Sequence, residues 1–556
     1  MLKGLVKKAL KFSAKKYIKA TQKFTVQTKS VHNTQEQVLL EKLRKNSSTE
    51  YGKRYGFSSI NSSSEFQQRV PIVSYDDISS NIERIKKGAE NVLTLENPLI
   101  FVTTSGTTST PKFIPITPDF LNEYLNSWNI WICNAVKDHL GIVYGKVVSV
   151  VSPPIEGYTS AGIPFGAMTG LTLGNQSRLS RFFYALPKEI FSIQDSEARH
   201  YLTLRIGIEK NASMFNTANP STIKKLALMG DKLKEKIIKD IYDGEISIAV
   251  SHKDIDLVKR ITPKKNPKRA RQLEKIVEQT GNLYPKDYWP NLAMIGCWKG
   301  GTLSLYLDSF PMFFSEQTSV RDLGLIASEG RISIPLSDSN SDGVLDIGSH
   351  FFEFIPESEA DSKNPITLKT YELEKGKYFV LMTTSSGLYR YNLNDLVEVT
   401  GFYNQAPTIK FLNKGNNISS LTGEKLTEHQ VVGAMQQASK IHSLSIDSFL
   451  VTPMFQDLET PRYVLLLEKS QETQDREKLK RVSADFDSAL KGLNIEYACK
   501  REGRLETVSI GLVPEGTFEE MRKEFLESSQ KDTQYKHKFL NPKPDSYKDL
   551  KAELIL

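Results

Sequence analysis

The chain is poor in cysteine and does nothing systematic with what it has. Cys133, Cys297 and Cys499 are the only three in 556 residues, they lie far apart, and no CxxC pair occurs. Neither a disulfide framework nor a thiolate zinc site is indicated, and all three are expected to be buried small hydrophobes. The eight histidines are equally scattered, with no HExxH, which leaves no transition-metal signature. No apolar run approaches the roughly 18 to 20 residues that span a bilayer, and the first segment lacks the apolar centre and cleavage site of a secretory signal, so a cytoplasmic protein without a transmembrane segment is expected. A P-loop is missing too. It requires two glycines separated by four residues and then Lys-Ser/Thr, whereas the one eligible segment has only Gly106 ahead of Lys112.

What the sequence does have is enough apolar material, 39% hydrophobic and 10% aromatic, to build two or more ordinary domains. The net charge of +8 is unevenly placed. Met1 to Lys23 carries eight lysines and no acid, with Leu2, Leu5, Val6, Leu10, Tyr17 and Ile18 at near-helical spacing. Such a helix can make weak peripheral contact with a membrane surface or dock its apolar stripe on the core. Lys253 to Lys275 is basic but holds no aromatic residue for base stacking, so a solvated surface is expected there and no nucleic-acid partner.

Strand and helix patterns alternate over the first three quarters of the chain. An apolar helix is expected over Leu121 to Val136, a buried strand over Lys146 to Ser152, and a glycine-rich loop over Gly162 to Gly170. From about Glu428 the pattern restarts, with helices near Gln430 to Ser439, Arg476 to Lys491 and Phe518 to Ser528 and strands at Phe449 to Met454, Tyr463 to Leu467 and Val508 to Val513. The expected organisation is a large α/β domain of mixed sheets flanked by helices, residues 1–425, followed by a small mobile α+β domain, 426–556. The polar stretch Gly415 to Lys425 suits a hinge between them.

Thr103 to Lys112 reads TTSGTTSTPK, seven hydroxyl side chains with a glycine and a lysine, directly after the apolar run Pro98 to Val102. Glycine lets backbone approach an anion, hydroxyls and backbone N–H groups donate to phosphate oxygens, and lysine adds positive charge. The local chemistry suits a nucleoside triphosphate, and equally a Ser/Thr-rich surface turn. Three further segments follow: GLIASEG at Gly324 to Gly330, which presents Glu329; GLYRYNLND at Gly387 to Asp395, which ends in an acid; and FLNKGNNISSLTGEKLTE at Phe411 to Glu428, with two lysines.

In order and spacing these segments resemble the adenylate-forming superfamily of acyl-CoA synthetases and luciferases. Within it the chain is most similar to the auxin-responsive acyl acid amido synthetases, the plant hormone-conjugating enzymes and their bacterial relatives, with the bacterial branch nearer. TEYGKRYGF, FQQRVPIVSYDDI, NPKRARQLEKI and WPNLAMIGCWKGGTLSLY extend the resemblance over nearly the whole length. It implies a two-step reaction: ATP and a carboxylic acid give an acyl-adenylate and pyrophosphate, and an amine, by resemblance an amino acid, displaces AMP. It also implies roles. Ser105, Gly106, Thr107, Thr108 and Ser109 would bind the phosphates with Lys112 nearby, Leu325 and Ser328 would border the adenine, and Glu329 would hold Mg²⁺. Asp395, expected to be an exposed carboxylate, would accept the ribose hydroxyls. Lys414 would lie near the nucleotide on the hinge side, and Lys425 and Lys536 would be catalytic.

Two departures from the family pattern stand out. Leu325 occupies the place of an aromatic ring, and Asn394 that of the glycine before the ribose aspartate. Leucine still covers a ring face by dispersion, and asparagine tolerates positive φ better than most residues. The Pro-Arg that usually follows the last lysine is replaced by Lys538 and Phe539. Trp128, Trp131, Ile132, Phe165 and Met168 are candidates for an apolar acyl pocket or for plain core. An acyl-CoA ligase sharing the first step, and an inactive nucleotide-binding scaffold, stay open at this point.

Overall fold

The computed structural model describes residues 18–555 apart from 105–110, 175–180, 262, 301–305, 308, 360–361, 363, 415–417, 445, 447, 456–459, 471–472, 522–523 and 525–538. Two compact units are formed, one from the described residues to 104 and 113–412, the other from 111–112 and the described residues from 413 onward.

The first unit is built around three sheets. In chain order its strands begin with β1 (Ile100–Thr104), β2 (Lys112–Ile116), β3 (Lys146–Ser149), β4 (Gly157–Tyr158), β5 (Pro164–Gly166), β6 (Ala212–Asn216), β7 (Met294–Gly296) and β8 (Ser319–Arg321). One sheet has the order β2-β1-β5-β4, another β3-β6-β7-β8. The second is parallel throughout, with register pairs such as Ser149 with Asn216 and Asn216 with Gly296. Next come β9 (Ile326–Ala327), β10 (Gly330–Arg331), β11 (Ser333–Ile334), β12 (Gly343–Leu345), β13 (Phe351–Pro356), β14 (Leu368–Lys369), β15 (Gly376–Thr383), β16 (Tyr391–Tyr403) and β17 (Ala406–Lys414). All but β9 and β10, which form a hairpin of their own, join a seven-stranded sheet in the order β11-β12-β17-β16-β15-β13-β14.

The Pro118–Asp138 helix lies against this core for reasons legible in its sequence. Thr117 caps it by accepting from the Phe120 N–H, proline sits at the first helical position and Asp119 in the first turn. Phe120, Tyr124, Ser127, Ile130, Trp131 and Ala135 recur at three- and four-residue spacing and are buried. The helix is longer at both ends than the Leu121 to Val136 pattern indicated, because cap residues rather than apolar ones set its limits.

Other expectations need correcting. Gly162 to Gly170 is not a loop throughout: β5 runs parallel to β1, pairing Phe101 with Phe165 and Val102 with Gly166. Gly166 reads as loop but is demanded by packing, since a Cβ there would stand 2.3 Å from the Pro154 carbonyl oxygen. The strand expected over Lys146 to Ser152 stops at Ser149, ahead of two consecutive prolines that cannot donate to a ladder. Of the cysteines only Cys297 is buried; Cys133 is half-buried and Cys499 exposed. Residues 1–17 of the basic N-terminal segment lie outside the described residues; the helical turns that follow dock on the core through the buried Phe24.

The second unit opens with β18 (Ile418–Ser419) and β19 (Leu426–Thr427), which pair antiparallel. Its main sheet orders β20 (Leu450–Met454), β21 (Arg462–Glu468), β22 (Ser509–Val513) and β23 (Glu553–Ile555) consecutively, with the β21–β22 pair parallel. The Glu428–His442 and Arg476–Leu493 helices supply apolar residues to one face, Val431, Met435, Leu479, Val482 and Phe486 among them. The first of these helices has a full capping box from Thr427 and Gln430. The helix expected near Phe518 to Ser528 falls largely outside the described residues.

Candidate active site

Glu329 stands at the tip of a two-residue hairpin. β9 and β10 pair Ala327 with Gly330, leaving Ser328 and Glu329 as the turn. Although it is a turn residue, Glu329 is only 5% exposed. The turn is pressed inward: a Cβ on Gly330 would meet Met382 Cε at 2.6 Å and His350 Nε2 at 2.8 Å. The half-buried Leu325 holds the base of the hairpin, its carbonyl accepting from the Ile332 N–H at 2.8 Å and its own N–H donating to Ser333 Oγ at 3.0 Å. Gly324 before it has φ +85° and leaves no room for a side chain, with the Ser333 carbonyl oxygen 2.3 Å from a Cβ.

Asp395 is carried by a bulge. β15 and β16 pair Phe379 with Leu396 and Leu381 with Asn392, so residues 393–395 oppose the single Val380. Asn394 takes up the turn at φ 56°, the conformation glycine is usually used for, and its N–H donates to Asn392 Oδ1 at 2.8 Å. Asp395 is 4% exposed, which corrects the expectation of an exposed carboxylate: the bulge folds it inward. Just upstream, Arg390 adopts φ 49° and is fully engaged. Its guanidinium bonds the Glu353 carboxylate at 2.9 to 3.1 Å, the Gln67 and Val70 carbonyls at 2.8 Å, and Thr367 Oγ1 at 3.0 Å.

The two acids converge on one phenol. Burial first, and then the charge of Glu329 and, beyond Tyr75, that of Asp395, push the Tyr391 hydroxyl well above its usual range. Tyr75 adds to the same upward shift and accepts the Phe113 N–H at 2.8 Å. Phe113 is the second residue of β2, the strand that leaves the hydroxyl-rich loop. The segment before Tyr75 is laced to the aspartate segment by Val73 N–H to the Arg390 carbonyl at 3.1 Å and Asn392 N–H to the Val73 carbonyl at 2.9 Å. The exit of the loop, the hairpin and the bulge therefore meet around Tyr75 and Tyr391.

Under the hairpin lies a buried charged cluster. Arg331 is 0% exposed, its guanidinium 4.3 Å above the Trp128 ring and bonded to the Leu323 carbonyl at 2.6 Å, while Nη1 has no partner among the described residues. Burial lowers its pKa to about 10. Burial likewise raises Asp322, which accepts the Lys299 and Gly324 N–H groups, to about 6, and Asp346, which Ser127 hydrogen-bonds, to about 6. His350, sealed in, with neither ring nitrogen hydrogen-bonded among the described residues and Nδ1 3.8 Å from Glu123 Oε2, is held well below its ordinary pKa by burial and by Lys42, and is neutral. None of these was singled out from sequence. For Arg331 and Asp346 the signal was a lone charge inside an apolar run, GRISI and VLDIG.

Ser105, Gly106, Thr107, Thr108, Ser109 and Lys536 lie outside the described residues. Lys112 is half-buried at the start of β2, and Lys414 ends β17. Lys425 belongs to the second unit, where it adopts φ 49°. Beside it the buried Glu424 accepts from the Leu421 N–H at 2.5 Å, from the Thr422 N–H at 2.7 Å and from the Tyr463 hydroxyl. Trp131 is core-packed, its indole N–H donating to the Asp322 carbonyl at 2.8 Å.

Comparison with known proteins accounts for most of the chain. Residues 20–319 match the GH3 family N-terminal domain, 343–414 the GH3 family central domain and 429–545 the GH3 family C-terminal domain. Indole-3-acetic acid-amido synthetase GH3.4 of Arabidopsis thaliana is 26% identical, the alignment covering 92% of this chain and 89% of that protein. The 4-substituted benzoates-glutamate ligase GH3.12 of the same plant is 24% identical, covering 92% of each. In fold, the chain is similar to the solved AtGH3.15 acyl acid amido synthetase in complex with 2,4-DB, with a TM-score of 0.66 at 22% identity over 97% of this chain and 96% of that one.

Proposed function

The chain belongs to the GH3 family, and from that premise we propose how its residues perform the work of an ATP-dependent, adenylate-forming amido synthetase. An oxygen of the acid's carboxylate attacks the α-phosphorus of ATP and pyrophosphate leaves. The nitrogen of an amino acid then attacks the acyl carbon, AMP leaves, and the nitrogen loses a proton. The first step is needed because a carboxylate is charged and lacks a leaving group, which the mixed anhydride supplies. The protein's part is to align reactants and meet phosphate charge.

The observation that carries this reading is the convergence of Glu329, Asp395 and the loop exit at Phe113 on Tyr391 and Tyr75. Asp395, inward on its bulge, accepts the two ribose hydroxyls, which suits the two oxygens of one carboxylate. Ser105, Thr107, Thr108 and Ser109 donate to the phosphates around Gly106, and Leu325 and Ser328 border the adenine. Among the described residues no cluster of three or more metal-ligating side chains occurs. A single buried carboxylate, Glu329, fits Mg²⁺, which needs one or two carboxylates when substrate phosphates complete its shell. Glu329 would hold the ion, which would supply positive charge against the phosphates. Lys414, Lys425 and Lys536 are the cations assigned to the nucleotide and to catalysis, and 425/426 is the proposed functional division of the chain.

ATP–pyrophosphate exchange over a panel of carboxylic acids tests the first step, and product masses with amino acids or CoA test the second. Acid-dependent exchange with amide products is expected. Thioester products would make the protein an acyl-CoA ligase, and ATP binding without exchange for any acid would leave only a scaffold.

A further inference from the structure

The parallel sheet of the first unit ends in polar groups that nothing among the described residues satisfies. Alternation along β3, β6 and β7 sends Val147 and Ser149, Met214 and Asn216, and Met294 and Gly296 to the face covered by the Pro118–Asp138 helix, while Val148, Phe215 and Ile295 pack into a separate core behind it. Register then makes two rows on the helix side. Val147, Met214 and Met294 form an apolar one. Ser149, Asn216 and Gly296 form the last row before the carboxyl ends.

Gly296 keeps that row open. A Cβ there would lie 2.8 Å from Asn216 Oδ1, 3.0 Å from Trp131 Cη2 and 3.2 Å from Leu323 Cδ2. Ser149 Oγ and Asn216 Oδ1 are both withdrawn from solvent, and neither has a hydrogen-bond partner among the described residues. Two such oxygens in adjacent strands are costly unless a further group pairs with them. They also sit where open α/β sheets receive their ligands, at the carboxyl ends of parallel strands. Trp131 connects the row to the site already described, since its ring meets Trp128 edge-on at 5.4 Å and Arg331 lies over Trp128.

We propose, resting on the amido-synthetase reading, that the acyl acid lies with its apolar body against this sheet face and carries a hydrogen-bond donor remote from its carboxylate, a hydroxyl or ring N–H, that binds Asn216 Oδ1 and Ser149 Oγ. The substrate class is thus an apolar acid with one polar substituent, not a plain hydrocarbon acid. A site that pairs a substrate hydroxyl discriminates strongly against the analogue lacking it, because its own polar groups are left unsatisfied.

The test is ATP–pyrophosphate exchange by the full chain on matched acids: para-hydroxyphenylacetate against phenylacetate, and indole acetate against naphthalene acetate. The donor-bearing member of each pair is expected to be favoured about tenfold or more in kcat/KM. Asn216→Leu is expected to bring that ratio near one, and Ser149→Ala, the milder change, to reduce it, with thermal melts verifying that both variants fold. Equal rates for the paired acids in the unaltered protein, the result if water alone satisfies the two oxygens, overturn the inference. So does a preference that survives both substitutions. Exchange with none of the acids overturns the ligase reading itself, and this inference with it.

Discussion

Glu329 and Asp395 stand on supports of opposite character. Beneath Asp395, Arg390 spends its donors on Glu353, Thr367 and two carbonyls, an ion pair closed on all sides. Beneath Glu329, Arg331 keeps a nitrogen unpartnered among the described residues, rests on an indole face, and has as neighbours two carboxyls that burial lifts to about 6. A saturated pair fixes geometry, whereas an under-paired arginine beside protonatable acids makes its support depend on conditions.

The sharpest way to break the comparison is Arg390→Ala. Glu353, 1% exposed, would be left as a buried charge without its partner, and a loss of about 3–5 kcal/mol in denaturant unfolding is expected. Arg390→Lys should recover little of it, since an ammonium cannot reproduce the fork. A loss below 1 kcal/mol would mean that the pair is not the rigid support described.

The second test is pH. Asp322 and Asp346 have folded-state pKa values raised to about 6 from 3.8, so the native state holds protons that the unfolded chain gives up. Their contribution is complete below about pH 4 and is lost as pH rises through 6, worth up to about 3 kcal/mol for each group. Asp346→Asn should remove part of the decline in melting temperature between pH 5 and pH 7.5; an unchanged slope would count against the under-paired cluster.

Asp395→Ala is expected to lower kcat/KM for ATP on the order of 100-fold. Because the side chain is buried, some loss of melting temperature should accompany it. Unchanged nucleotide affinity would remove Asp395 from the ribose. The smallest effect is assigned to Asn394→Gly. At φ 56° on an exposed bulge, glycine relieves strain while loosening the unfolded chain, and a net change within about 1 kcal/mol with ATP use retained is expected.

Local chemistry was what the sequence displayed best. The segments bearing Glu329 and Asp395 stood out by their order and spacing, and apolar periodicity made the helices readable though not their ends. Positive φ at Asn394 followed from its residue type. Contacts across hundreds of residues were not displayed. Gln67 and Val70 bind Arg390 through backbone carbonyls, which carry no residue identity, and β5 hid inside a glycine-rich stretch because parallel pairing with β1 is a long-range property. The inward turn of Asp395 depended on a bulge that only the opposing strand defines.

Tyr75 opens the Tyr75–Lys86 helix, whose start is fixed at the surface by Ser74 and Asp77. Its hydroxyl receives the backbone of the strand that leaves the hydroxyl-rich loop. An exposed serine–aspartate couple thus serves as the anchor bolt of the strand on which that loop ends. Under the proposed function, wear at that bolt would be felt as slack in nucleotide alignment, although neither residue comes near the reacting atoms in any step described.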